Sequence, residues 1–265
     1  TQEAYVEVMK TLLARSDVIA VEPNYRQTVE ATTLNVNDPQ KNQLWGLEKI
    51  DADLAWKVNA GSKNSVVAVI DTGIDYNHID LVSNIWRNSD EIAGNRVDDD
   101  GNGLIDDIRG FDFANFDTNP MDDHGHGTHV SGTIGASGNN GIGIVGVSQN
   151  VSLMPIKVLG ADGSGDSLGV FYAMVYAMQN GADIMNMSLG GYGFSFLNYV
   201  AAYWANQEGV ILVAAAGNER NNNDSRANYP ASFGFDNIIS VAASGESDSL
   251  ASFSNYGARS VDIVA

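Results

Sequence analysis

Three histidines, His124, His126 and His129, fall within the stretch Asp122 to Gly132 (DDHGHGTHVSG), and one other, His78, occurs elsewhere in the chain. Imidazole is the natural proton carrier near neutral pH, but as a base it needs an orienting carboxylate and a group to deprotonate. Acidic residues precede a small-residue run, Thr128 to Ala136, which predicts a tightly packed helix with His126 at or near its N-terminus and its ring free to face a cleft. The carboxylate candidate lies upstream. Ser65 to Ile70 (SVVAVI) is a continuous, mostly β-branched apolar run that ends in Asp71-Thr72-Gly73. It reads as a buried parallel strand delivering an acid at its carboxyl end, where open α/β sheets place their sites. Taken alone, such an aspartate also serves as a turn or cap residue, and the HxxxxH spacing of His124 and His129 also suits a metal or no role at all.

The elements that must position these groups follow along the chain. Residues 2–15 carry apolar positions at helical spacing, residues 18–25 (VIAVEPNY) read as a strand ending in a turn, and 26–35 as a polar linker. A short helix is expected near Ala52–Trp56. After the His helix, strands are expected at 151–159, 182–191, 210–218 and 237–244, with amphipathic helices at 165–181 and 196–209, the first closed by Gly181. Strands alternating with helices of this length predict an α/β fold, a doubly wound parallel sheet with helices on both faces.

The 265 residues and 44% hydrophobic content suit one substantial domain with an appendage. Zero cysteines exclude a disulfide scaffold, a thiol nucleophile and a cysteine zinc site. No apolar run approaches the ~20 residues that span a bilayer. With 14 basic and 33 acidic residues, the net charge of −19 argues against nucleic acid or an anionic membrane as partner. The acids are clustered, which points to hard-cation binding. In the segment DDDGNGLIDD, oxygen ligands at Asp98, Asp100 and Asn102, a turning Gly103 and a further acid at Asp106 resemble the front of a calcium loop. The EF-hand pattern fails at its twelfth position, which is Arg109, so the expectation is a calcium-stabilised insertion rather than an EF-hand.

Together, VAVIDTGID and HGTHVSG strongly resemble the subtilisin-like serine proteases, the subtilases, and NDPQKNQLWGLEKIDADLAW resembles the start of the mature domain in thermitase-like members. The resemblance implies a serine endopeptidase in which Asp71 orients the imidazole and His126 is the general base, within direct hydrogen-bonding reach of ~2.6–3.2 Å. His129 becomes a helix-packing residue and His124 an exposed neighbour. Asn218, in AAAGN, would donate to the oxyanion. Gly163, Ser164 and Gly165 would form an extended edge pairing with the substrate backbone, and Ser188, Leu189 and Gly190 would pair from the other side. Ser188–Gly190 would also wall the primary specificity pocket opposite Ala216 and Gly217; small residues there leave a roomy apolar slot, while Glu219 near its base could favour a basic group. A calcium site is implied at Asp38, Asp80 and Asn140 with carbonyls of Ile142 and Ile144, in the loop SGNNGIGI.

The resemblance further implies that residues 1–30 are the C-terminal part of an inhibitory propeptide with its linker, and 36–265 a peptidase domain. It implies a secreted, monomeric zymogen acting on polypeptides, with its own propeptide as an intramolecular inhibitor. The family nucleophile lies in a GTSMA helix start just after a segment like VDIVAPG, whereas this sequence stops at SVDIVA. No serine here stands in that motif, no GxSxG elbow replaces it, and Ser137 and Ser188 already fit other roles. The expectation is that the nucleophile lies beyond Ala265 and that the chain as given does not hydrolyse peptides by a triad. The rival reading is a non-catalytic, calcium-bound module that grips extended peptides.

Overall fold

The computed structural model describes residues 8, 10–12, 14–18 and 36–265. The chain divides into two units, Thr1–Thr33 and Leu34–Ala265. In the first unit, residues 8 and 10–12 are helical, as the apolar spacing predicts, and 14–17 form turns. Apart from Val18, the expected strand over 18–25 and the linker over 26–35 lie outside the described residues.

The second unit is built on seven parallel strands: β1 (Gly61–Asp71), β2 (Phe111–Asp112), β3 (Asn150–Lys157), β4 (Ile184–Met187), β5 (Ile211–Ala215), β6 (Ile238–Ala242) and β7 (Ile263–Val264). Their spatial order is β2-β3-β1-β4-β5-β6-β7. Five helices accompany them: α1 (Trp45–Lys49), α2 (Ala52–Trp56), α3 (His126–Gly135), α4 (Ser167–Gln179) and α5 (Phe196–Glu208). The two-residue strands β2 and β7 and the helix α1 are too short to show a period and were not anticipated.

Alternation along β1 sends side chains to opposite faces. Ala68 and Ile70 join Met154, Ile156, Met185 and Leu212 in the larger core, where α4 and α5 pack with Ala173, Met174, Ala201 and Ala205. Val67 and Val69 join Val151 and Leu153 in a smaller core, against which Val130 and Ile134 of α3 pack. This is the doubly wound arrangement that the strand–helix alternation predicts. Helix α4 starts on Asp166, whose carboxylate accepts the Gly169 amide, and α5 ends on Gly209 at φ 76°, which only glycine adopts cheaply. After β3 the chain crosses β1 to continue at β4, so the carboxyl ends of these three strands flank the crevice that a switch of winding direction creates. Among the described residues no helix is long and apolar enough to cross a membrane.

Candidate active site

The central strand β1 ends in Asp71, in register with Lys157 of β3. The aspartate is fully buried. Its Oδ1 accepts the Thr72 amide at 2.7 Å and lies 2.7 Å from Nδ1 of His126. Its Oδ2 is buried without a partner. The His126 side chain remains 42% exposed, so the pair has one member in the core and one facing solvent. Glycine makes the approach possible. A Cβ on Gly127 would run into the Gly73 carbonyl oxygen and stand 3.2 Å from the Asp71 Cβ.

Two charged residues that motif reading passed over hold this corner. Asp122 accepts the hydroxyls of Thr72 (2.8 Å) and Thr128 (2.6 Å) and the amides of His124, Gly125 and Thr128. Burial alone would raise its carboxyl, but the Thr128 hydroxyl and those amides outweigh burial and hold it at about 2. Lys157 is almost wholly buried, and its Nζ donates to the carbonyls of Thr72 (2.8 Å) and Leu159 (2.7 Å) and to Asp123 (2.6 Å). One ammonium thus joins the Asp71 turn, the chain leaving β3 and the acids before His126. The IKVL run that contains it reads simply as strand, so its partners were not visible from spacing. His124 is exposed as expected. His129 is also exposed, not packed, because no described element covers that side of α3.

A cleft of about 640 Å³ opens beside His126, lined by Gly163, Ser164 and Gly165 on one side and Ser188, Leu189 and Gly190 on the other. The first edge must be glycine-rich, because a Cβ on Gly165 would strike the Val158 carbonyl. Ser164 donates its hydroxyl and amide to Asp162, holding that exposed carboxyl below its usual range. His124 stands over this edge, its Nε2 3.2 Å from where a Gly163 Cβ would be. Ala216, Gly217 and Asn218 follow β5 and do not line this cleft. Three buried side-chain amides, from Asn223, Asn228 and Asn255, converge on the Ala216 carbonyl at 2.8–2.9 Å and pin the strand end. Asn218 is exposed. Glu219 accepts the Asn218 amide, the Tyr192 hydroxyl and the Asn255 amide, so its carboxylate is tied into the wall.

The acids divide into two groups. Asp38 and Asp80 are buried beneath the loop after α3 and take its amides: Asn139 and Asn140 donate to Asp38, and Ile144 and the Asn140 side chain to Asp80. Ile142 donates to the Asn140 side-chain oxygen. In the insertion, Asp98 accepts the amides of Gly101, Asn102 and Gly103, and Asp106 those of Gly94 and Arg96. These two carboxylates brace the loop and do not converge with Asp100. The carboxylates that do converge with Asp100 are Glu91 and Asp107. Spacing overlooked this pair because one lies outside the acidic run and the other at its far end.

The Subtilase family model matches residues 62–265. A thermophilic serine proteinase of Bacillus sp. (strain AK1) is 37% identical over 258 residues, 97% of this chain and 57% of the relative. Thermitase of Thermoactinomyces vulgaris is 35% identical over 231 residues, 86% of this chain and 72% of the relative. A solved protease structure from Pseudoalteromonas arctica superposes with a TM-score of 0.71 at 28% identity, covering 87% of this chain and 71% of that one. The chain belongs to the subtilase family of serine proteases. It spans little more than half the length of the first relative, 57%.

Proposed function

We propose that this chain forms the greater part of the catalytic domain of an endopeptidase that cleaves extended polypeptides through an Asp–His–Ser triad. The 2.7 Å contact between Asp71 and His126 carries the reading. With Nδ1 held by the acid, Nε2 is the nitrogen left to take a proton from a serine hydroxyl and to pass it to the leaving amine. Asp71 keeps the imidazole in that tautomer and stabilises its charged form. A substrate strand lies between Gly163–Gly165 and Ser188–Gly190, pairing by its backbone. Asn218, exposed at the end of β5, donates its amide to the oxyanion; loss of such a donor costs ~10²–10³ in turnover, a magnitude measured in subtilisin. The nucleophile comes from residues after Ala265, and the enzyme acts outside the cell as a monomer restrained at first by its own propeptide.

Calcium fits the loop after α3. Asp38 and Asp80 are buried carboxylates with only amide donors as described partners, and a buried anion calls for a counter-charge. Asp38, Asp80, Asn140 and the carbonyls of Ile142 and Ile144 would hold the ion, which stabilises the loop and takes no part in the chemistry. A serine-directed fluorophosphonate tests the main reading. The full-length protein is expected to be labelled, and residues 1–265 expressed alone to stay unlabelled and melt without cooperativity. A full-length protein that binds peptides but resists labelling would overturn it.

A further inference from the structure

The carboxylate of Asp122 is shared by five donors. Its Oδ1 accepts the Thr72 hydroxyl at 2.8 Å and the amides of His124 and Gly125 at 2.9 and 2.8 Å. Its Oδ2 accepts the hydroxyl and the amide of Thr128 at 2.6 and 2.9 Å. Each threonine hydroxyl is in turn an acceptor: Thr72 takes the Gly127 amide and Thr128 the Asp75 amide, both at 2.9 Å. These two relays cross the site in opposite directions. Thr72 follows Asp71 at the end of β1 and holds the residue after His126, while Thr128, in the first turn of α3, holds the chain that leaves β1. Thr72 also donates its own amide to Asp71 at 2.7 Å. The acid and the imidazole therefore stand on two segments that one carboxylate ties together twice. Gly125, the N-cap of α3, has no side chain to cap the helix, and Asp122 takes over that task at the Thr128 amide.

We propose that Asp122, acting through the hydroxyls of Thr72 and Thr128, is a positioning residue that fixes the His126 ring against Asp71. The proposal rests on the triad reading above and names what holds its base in place. A hydroxyl has one proton to give. Because each threonine hydroxyl receives an amide from the opposite segment, its own proton is committed to Asp122. All five groups that meet the carboxylate are donors, so only a side chain that accepts at both oxygens satisfies them. Asparagine has the same shape, but whichever way its amide is turned it presents an NH2 to one set of donors. The hydrogen bonds hold the Asp122 carboxyl at about 2, so it stays an acceptor throughout the neutral range in which imidazole serves as a base. Asp122 does not line the cleft, so its influence on a substrate passes through His126.

The test uses the full-length protein, with proton NMR beside steady-state kinetics on a peptide substrate. The proton between Asp71 and Nδ1 of His126 gives a resonance far downfield of the amides, identified by its loss in Asp71→Asn. Asp122→Asn should shift or broaden that resonance and lower kcat by about 10²-fold, the order of loss that a misplaced catalytic group brings, with KM changed by less than about threefold. Thr72→Val and Thr128→Val keep the shape and lose the hydroxyl, and should each lower kcat by about tenfold. Thr72→Ser and Thr128→Ser keep the hydroxyl and should restore most of the loss. The threonine variants carry the test if Asp122→Asn does not fold. An Asp122→Asn protein that melts earlier but keeps the parental kcat and resonance would reduce Asp122 to a structural part and overturn the proposal. A loss confined to KM, or valine variants as active as the parent, would overturn it too. A parent that shows the resonance but cleaves no peptide would count against the triad reading instead, and the resonance in the variants would still decide the positioning.

Discussion

The face of the sheet that carries α3 has two halves with similar sequences and different surroundings. One hydrogen-bonded row crosses both: Leu153, Val67, Ile184 and Ile211 are neighbours on β3, β1, β4 and β5. Leu153 is 0% exposed, Val67 7% and Ile211 39%. Val213 on β5, and Ile239 and Val241 on β6, are likewise only half-buried, while the other face of the same strands is sealed by Leu212, Ala214 and Ile238. Parallel strands with apolar residues on both faces are built to be covered twice. The covered half holds Asp71 and His126, and the uncovered half ends in Ala216–Asn218. On the triad reading proposed above, the second half is the face that a nucleophile-bearing element would cover, between Asp71–His126 and Ala216–Asn218.

The contrast can be broken most forcefully through chemistry. In the full-length protein, Asp71→Asn should lower kcat by roughly 10⁴-fold, the magnitude known for triad acids of serine proteases, with little change in melting temperature. A loss under tenfold in steady-state assays would detach the covered half from catalysis. Packing gives the next largest effect. Leu153→Ala should cost ~2–5 kcal/mol in denaturant titration, because it empties a fully enclosed position. Ile211→Ala in the full-length protein should cost ~2–4 kcal/mol, as truncation of a covered residue does. A cost under about 1 kcal/mol, in keeping with the 39% exposure of Ile211, would mean that nothing further covers β5.

Lys157 tests the seam on the covered side. Lys157→Met leaves the carbonyls of Thr72 and Leu159 without their donor, and should raise KM as well as lower kcat, with ~1–3 kcal/mol lost from stability. Lys157→Arg cannot reproduce a compact ammonium among three acceptors and should rescue poorly. A wild-type KM in the Met variant would show that the lysine does not support the substrate edge. The smallest effect concerns acid. Asp122 has a folded value of about 2, below the ordinary value near 4, so its contribution is complete above pH ~4 and lost as pH falls towards 2. Asp122→Asn should flatten that limb of an acid-unfolding curve monitored by circular dichroism. An unchanged limb would remove Asp122 from the account.

Much of this was legible in the residues. SVVAVIDTG and HGTHVSG give strand, acid, helix and imidazole because each is a local pattern: a β-branched run, a glycine turn, a small-residue helix. The parallel sheet followed from the alternation of such patterns. What stayed hidden is what depends on distant partners. Nothing around Lys157 announces a buried cation, since its acceptors are backbone carbonyls. The three asparagines on Ala216 are separated from it by 7, 12 and 39 residues. In the insertion, spacing favoured Asp98 and Asp106, but short acidic loops satisfy their own amides first. Those two carboxylates are used up in shaping the turn, leaving Glu91 and Asp107 to converge with Asp100.

Gly127 has a consequence for how this protein tolerates change. The separation of Asp71 and His126 is gauged by the bare α-carbon of Gly127 lying against the main chain at Gly73, with no side chain between them. Neighbouring residues can drift to larger or smaller ones without resetting that gauge, since the touching parts have the same dimensions in every sequence. A single methyl group added at position 127 would reset it.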